Sequence, residues 1–206
     1  MFPSITFLLT ATLLAITPGP GIAYVVARTV AGGKTEGIAS CIGTAVGGMV
    51  HVLAATLGLS LLFAQSALAY SIVKYLGAAY LIYLGIKILA SRAQSTELPA
   101  IQRAGAGKAL RDGIIVEALN VKTAMFFLAF IPQFISTQHA VVPQFIVLGT
   151  ICVALNTAVD LLAVVAASRF VASGTARAAR ERLLSRISGG TMLSLGMIVA
   201  IAKREN

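Results

Sequence analysis

The sequence predicts an all-α integral membrane protein with six transmembrane helices. Of its 206 residues, 58% are hydrophobic and only 11% are charged, and the mean hydropathy is +0.91. A soluble domain carries roughly 25% charged residues, so this chain has too little polar surface to cover a globule in water. A span requires about 20 mostly apolar residues. The six segments that qualify are 4–27, 39–64, 67–90, 113–136, 143–168 and 187–203.

The first span contains the strongest helix breakers of the chain. Its centre is Thr17-Pro18-Gly19-Pro20-Gly21, in which each proline removes a backbone donor and each glycine adds an entropic cost. A helix that restarts near Pro20, with Thr17 as its cap, would direct free N–H groups and its positive dipole end toward an anion such as a carboxylate. The alternative interpretation is a proline kink that only shapes packing.

The second span has small residues at four-residue spacing, Gly43 and Gly47, with Ala39 and Ala55 beyond them. This spacing lets helix backbones approach closely where lipid provides no hydrophobic drive for association. We therefore expect a packing face with no chemistry of its own. The same type of face also allows a homodimer.

The connections between the spans predict the orientation. Lys and Arg exceed Asp and Glu in 28–37, 91–112 and 169–186, whereas the other two connections contain neither Lys nor Arg. Loops rich in Lys and Arg stay in the cytoplasm, so both termini are expected in the periplasm. This distribution also explains the formal net charge of +9, since no basic stripe with interleaved aromatic residues indicates nucleic acid as a partner.

The two halves of the chain predict an inverted repeat within one transporter domain, 1–206. Repeat 1 covers about 1–90, the basic linker about 91–112 and repeat 2 about 113–206. Three spans in each repeat force the copies into opposite orientations. The fourth span carries Asn120-Val121-Lys122 at the depth of the break in the first span. Interrupted helices at matching positions are typical of transporters whose site lies near the bilayer midplane.

Charged residues inside the spans are the candidates for proton coupling, because such residues are expensive in lipid. Asp160 shares a helix face with Asn156 in the fifth span. It could exchange a proton or hold a substrate ammonium; the alternative is a structural ion pair with Lys122 or another base. Lys122 could instead hold a substrate carboxylate. Glu117 and His51 are further coupling candidates, although a lone histidine is more often bonded to nearby backbone.

Four motifs follow one another along the chain: ITPGP at 16–20, HVL at 51–53, KYLGAAYL at 74–81 and FFLAFIPQF at 126–134. In this order they resemble the LysE/RhtB family of amino-acid exporters. The resemblance implies export of amino acids or close derivatives, driven by the proton gradient, across a bacterial inner membrane. No cofactor or metal ion is expected.

Two positions depart from the family pattern. Where the family has Asn-Pro-Lys, this chain has Asn120-Val121-Lys122, so the second break could be absent. Glu117 stands where family members tend to have a neutral polar residue, which suggests an altered preference for substrate charge.

A channel, a structural membrane subunit and an intramembrane enzyme are the alternatives to an exporter. A small-solute channel or a structural membrane subunit would need no protonatable carboxylate beside a broken helix. An intramembrane enzyme is less consistent with the sequence, which has no Gly-x-Ser-x-Gly elbow, no His-Glu-x-x-His pair and no clustered acids for a catalytic metal.

Overall fold

A computed structural model describes residues 3–65, 103–136 and 138–170, together with single positions between 68 and 86. Every regular element within these residues is helical. The third predicted span, 67–90, is described only at those single helical positions. The sixth span, 187–203, and nearly all of the 169–186 connection lie outside the described residues.

Five α-helices and one 3₁₀ turn make up the described chain. They are α1 (Ile5–Ile16), α2 (Pro20–Gln65), α3 (Ala106–Ala118), α4 (Val121–Ala129), the 3₁₀ turn Ile131–Phe134 and α5 (Val141–Phe170). Two stretches, Pro20–Gly58 and Val141–Arg169, are long and apolar enough to cross a membrane, and α3 with the chain to Phe134 forms a third, bent candidate. These findings confirm a helical membrane protein. The six-helix count and the inverted repeat stay predictions.

Helix α2 folds back on itself at Gly33. This glycine has φ 76° and ψ −170°, a backbone conformation that L side chains rarely adopt. Thr29 lies against Gly37, and Thr44 lies against Gly21. In each pair, the two residues precede and follow Gly33 by similar numbers of residues. The two arms, 20–32 and 34–65, therefore run antiparallel. The chain therefore reverses within 28–37, where the sequence predicted the connection between the first two spans. It is helical on both sides of a one-residue reversal.

The second arm of α2 packs closely on α3. A Cβ atom added at Gly43 would meet the backbone of Leu110, and one added at Gly47 would lie 2.6 Å from the carbonyl oxygen of Ile114. Any larger residue would therefore separate the two helices. The packing role predicted for Gly43 and Gly47 is confirmed.

Helix α3 also begins earlier than the sequence indicated. It starts at Ala106, so the end of the predicted 91–112 linker is its first two turns. Beyond α3, buried phenylalanines form much of the core: Phe7, Phe126, Phe127, Phe130 and Phe145. Large apolar side chains such as Ile5, Leu57 and Leu162 are exposed on the outside, as expected of surfaces that face lipid.

Candidate functional site

The first helix is interrupted where the sequence predicted. Helix α1 ends at Ile16 and α2 begins at Pro20. The Thr17 N–H donates to the carbonyls of Leu13 and Leu14, and its hydroxyl donates to Leu13 O at 2.7 Å. Thr17 therefore caps the end of α1, and the expectation that it caps the restarted helix is wrong. The first carbonyl of the restarted helix belongs to Gly19, which accepts from Ala23 N.

The fourth predicted span is also broken, although proline is absent. Helix α3 ends at Ala118, α4 begins at Val121, and the two helices meet at a 45° bend. The side-chain oxygen of Asn120 accepts from Lys122 N at 3.1 Å. Asparagine is among the best N-cap residues because this contact satisfies a donor that the helix leaves free. Asn120 thus supplies the break that the missing proline left in question.

The two breaks lie against each other. The Lys122 ammonium donates to Thr17 O at 2.9 Å and to Leu14 O at 3.3 Å, across more than a hundred residues of sequence. Its side chain passes so close to Gly19 that an added Cβ would lie 3.0 Å from Lys122 Cε. The cation thereby satisfies carbonyls at the C-terminus of α1, where the helix dipole favours positive charge.

Glu117 lies at the other side of the first break. Its Oε1 accepts from the Thr123 hydroxyl at 2.6 Å and its Oε2 accepts from Asn120 Nδ2 at 2.9 Å. The same Oε2 lies so close to Gly21 that it would collide with a Cβ there. A buried carboxylate therefore already lies beside the N-terminus of α2, where the sequence predicted room for a substrate anion.

Asp160 is buried on α5 and faces the second arm of α2. Its Oδ2 lies 2.8 Å from the Thr44 hydroxyl, and that hydroxyl also lies 2.9 Å from the carbonyl oxygen of Cys41. Among the described residues, neither Asp160 nor Glu117 lies within 4 Å of the Lys122 ammonium. The alternative of a structural ion pair between Asp160 and Lys122 is therefore wrong.

A small cavity joins these groups. The cavity volume accessible to water is about 30 Å³, which is enough for roughly two water molecules. Its polar lining is Thr44, Glu117, Asn120, Lys122, Thr123, Asn156, Thr157 and Asp160, and its apolar lining includes Ala15, Gly21, Ile22 and Val153.

Residues 12–203 match the family model described as LysE type translocator. The chain belongs to this family. An uncharacterized membrane protein of Vibrio cholerae is 30% identical over 202 residues, 97% of each chain. A homoserine/homoserine lactone efflux protein of Salmonella typhimurium is 29% identical over 197 residues, 96% of this chain and 95% of the relative. No solved structure matches the chain.

In this LysE-type translocator, five of the predicted site residues line the cavity: Gly21, Glu117, Asn120, Lys122 and Asp160. Thr17 and Gly19 contact the Lys122 side chain from the first break. Pro18 lies within that break, and Pro20 opens α2. Whether any of these residues binds substrate or carries a proton stays a prediction.

His51 lies behind the second break and does not line the cavity. Its Nε2 is 2.8 Å from the backbone oxygen of Glu117. This contact is the backbone hydrogen bond that the sequence analysis gave as the alternative to a proton shuttle. The contact gives His51 a structural role at the end of α3, and it provides no support for proton coupling.

Sequence reasoning missed Thr44 and Thr123, which hold the two carboxylates. Thr123 follows Asn120 by three residues in the first turn of α4, so a search for hydroxyls next to the break would have found it. Thr44 has no such signal. Threonine in apolar helices usually bonds to its own preceding turn, and only the fold shows that Thr44 also faces Asp160.

Proposed function

We propose that the protein is a secondary active exporter that carries amino acids or close derivatives across the bacterial inner membrane in exchange for protons. Membership of the LysE type translocator family supports a transporter of this type. So does the full-length similarity to an efflux protein for homoserine and its lactone. The predicted topology, with basic loops inside and both termini outside, belongs to the same proposal.

The observation that carries the proposal is the contact between the two helix breaks. Lys122, from the second break, reaches the carbonyls of the first. Unwound backbone is tolerated in a membrane only where protein or a cavity surrounds it, and facing breaks are the usual site of inverted-repeat transporters. We infer that repeats at about 1–90 and 113–206 rock about this contact to open the site to either side.

The cavity has groups that suit a small polar solute. An ammonium has three N–H donors, and Lys122 gives two of them to Leu14 O and Thr17 O. No acceptor among the described residues takes the third, which can donate to a substrate oxygen. The Asp160 carboxylate and the Asn156 amide also line the cavity and can accept from a substrate ammonium.

Asp160 is the group we assign to proton coupling. When it is ionised, the single hydroxyl proton of Thr44 can be donated to Asp160 Oδ2. When Asp160 is protonated, it can donate to Thr44 Oγ1, whose own proton then goes to Cys41 O. Both acceptors lie within 3 Å of the Thr44 hydroxyl oxygen, so Thr44 stays hydrogen-bonded in either state. A proton can therefore bind and leave without an orphaned polar group.

The test is solute efflux from proteoliposomes loaded with a panel of amino acids and derivatives, with and without an imposed pH difference. Wild-type protein should show faster efflux with the pH difference. Asp160→Asn should lose this acceleration, whereas counterflow without a gradient should persist with weaker substrate affinity, because the amide oxygen can still accept from a substrate ammonium but carries no charge. Asp112→Asn is the matched control, because it neutralises an aspartate outside the cavity and should keep gradient-driven efflux. Undiminished gradient-driven efflux by Asp160→Asn would contradict the coupling role.

A further inference from the structure

A carboxylate of the chain itself lies beside the first turn of α2. A helix N-terminus favours a negative group, and in this chain the Glu117 carboxylate lies against Gly21 at that point. The carboxylate is fixed from the other side by Asn120 and Thr123, each donating to one of its oxygens. It is also buried. Both of its oxygens accept hydrogen bonds, as an ionised carboxylate does.

Among the described residues, the charged groups that line the cavity are one positive charge short. Two carboxylates, Glu117 and Asp160, and one ammonium, Lys122, line it. With all three groups ionised, their formal sum is −1. The ammonium is engaged by neutral carbonyls of the first break. A cationic solute brings the group to neutrality, and so does a proton on Asp160. The two can therefore alternate at the same carboxylate, as an exchange of solute for proton requires.

A free carboxylate on the solute would be misplaced in this cavity. At the start of α2 a second carboxylate would lie close to Glu117 and would face it as a like charge in a poorly solvated site. The solute's ammonium has the Asp160 carboxylate available in the same cavity. A carbonyl oxygen, which carries no full charge, can accept the third donor of Lys122 without this repulsion.

We propose that the preferred substrate is a primary ammonium whose carboxyl group is masked as a lactone, ester or amide, and that Glu117 sets this preference. The inference rests on the proposed function, since it names the substrate class of the same site. Glu117 acts here as a resident carboxylate, which fills the position that the free acid's own carboxylate would need.

The experiment compares matched pairs in proteoliposomes: homoserine lactone against homoserine, and alaninamide against alanine. Each compound competes with a labelled member of its pair in counterflow, and protein-free liposomes correct for passive leakage of the amines. For wild-type protein we expect the masked member of each pair to compete at least about tenfold better than the free acid, which corresponds to a factor of ten in the binding constant.

Two variants assign the preference to Glu117. Glu117→Gln keeps an oxygen that can accept from Asn120 or Thr123 but removes the charge, so the preference should fall by about tenfold. Glu117→Asp keeps the charge and should keep the direction of the preference. A Glu117→Gln protein with an unchanged preference would overturn the assignment to this residue.

The outcomes for wild-type protein separate this inference from the proposed function. Equal or better transport of the free acids would overturn the substrate class while leaving an amino-acid exporter. Transport of none of the four compounds, while other members of the amino-acid panel are exported, would overturn this inference alone. Transport of no member of the panel, with or without a pH difference, would contradict the exporter itself. Preference for both masked compounds supports the two together.

Discussion

Two buried groups of charged residues differ in how their charges are balanced. In the first, the Arg28 cluster, the guanidinium lies 3.2 Å from Asp112 Oδ2 and 3.7 Å from Glu36 Oε2, and its Nε donates to the Tyr24 hydroxyl. In the second, the cavity group of Glu117, Lys122 and Asp160, no ion pair within 4 Å is present among the described residues. Neutral groups hold each charge instead.

The difference indicates what each group does. The Arg28 cluster also has two carboxylates and one cation, but there the opposite charges contact each other directly and fix the elements that carry them. The Arg28 cluster joins the turn of the α2 hairpin to the start of α3, because Glu36 Oε1 accepts from the N–H groups of Ala104 and Gly105. A carboxylate that contacts only hydroxyls and amides has no opposite charge beside it, and a mobile cation or a proton can neutralise it.

The largest effect on stability should come from removing the centre of the Arg28 cluster. Arg28→Met leaves Glu36 buried without its cation, and breaking a buried pair typically costs about 3–5 kcal/mol. Arg111→Met is the matched control, because Arg111 is 73% exposed and lies 3.9 Å from Asp112; its loss should be below about 1 kcal/mol. Reversible unfolding in mixed detergent–SDS micelles measures both, and equal losses would refute the distinction.

The cavity group should respond with a smaller loss of stability and a complete loss of transport. Lys122→Met removes the donor to Thr17 O and leaves Leu14 O with only the Thr17 N–H, at a cost of about 1–3 kcal/mol, but it breaks no ion pair. Counterflow should fall to the level of protein-free liposomes. Lys108→Met, at an exposed position of α3, is the control for both measurements. If Lys122→Met destabilised the protein as much as Arg28→Met, the cavity charges would be structural as well.

The parts of this arrangement that could be predicted from the sequence depend on residue types that have few structural roles within an apolar span. Proline and glycine within an apolar run predicted the first break, and charged residues within spans predicted Glu117, Lys122 and Asp160 as the site. The second break was harder. It depends on the capping bond of Asn120, and asparagine also occurs in unbroken helices.

The position of the hairpin turn was predicted as the connection 28–37, but its structure was not. The charges of that connection predicted only its side of the membrane, and charged residues such as Arg28 and Glu36 are almost never fully buried unless they are paired. Here they are paired, with each other and with Asp112, and this pairing depends on a tertiary contact with α3. The reversal itself depends on one positive φ at Gly33, which the sequence offers at many other glycines too.

The smallest effect is expected at the break that carries Lys122. Val121 is 47% exposed and is the first residue of α4, a position whose N–H has no acceptor within the helix and where proline is favoured. Asn120 has φ −74° and ψ 101°, the extended conformation that a following proline requires. Val121→Pro should therefore change stability by no more than about 0.5 kcal/mol and leave counterflow intact.

Val147→Pro, at an equally exposed position inside α5, is the control and should lose about 3 kcal/mol or more of stability, since it removes an internal hydrogen bond. Comparable losses of stability in the two variants would mean that α3 and α4 form one continuous helix and that no break in the backbone positions the cavity group. Wild-type behaviour of Val121→Pro would mean that the backbone places Lys122 in the first break before any substrate binds.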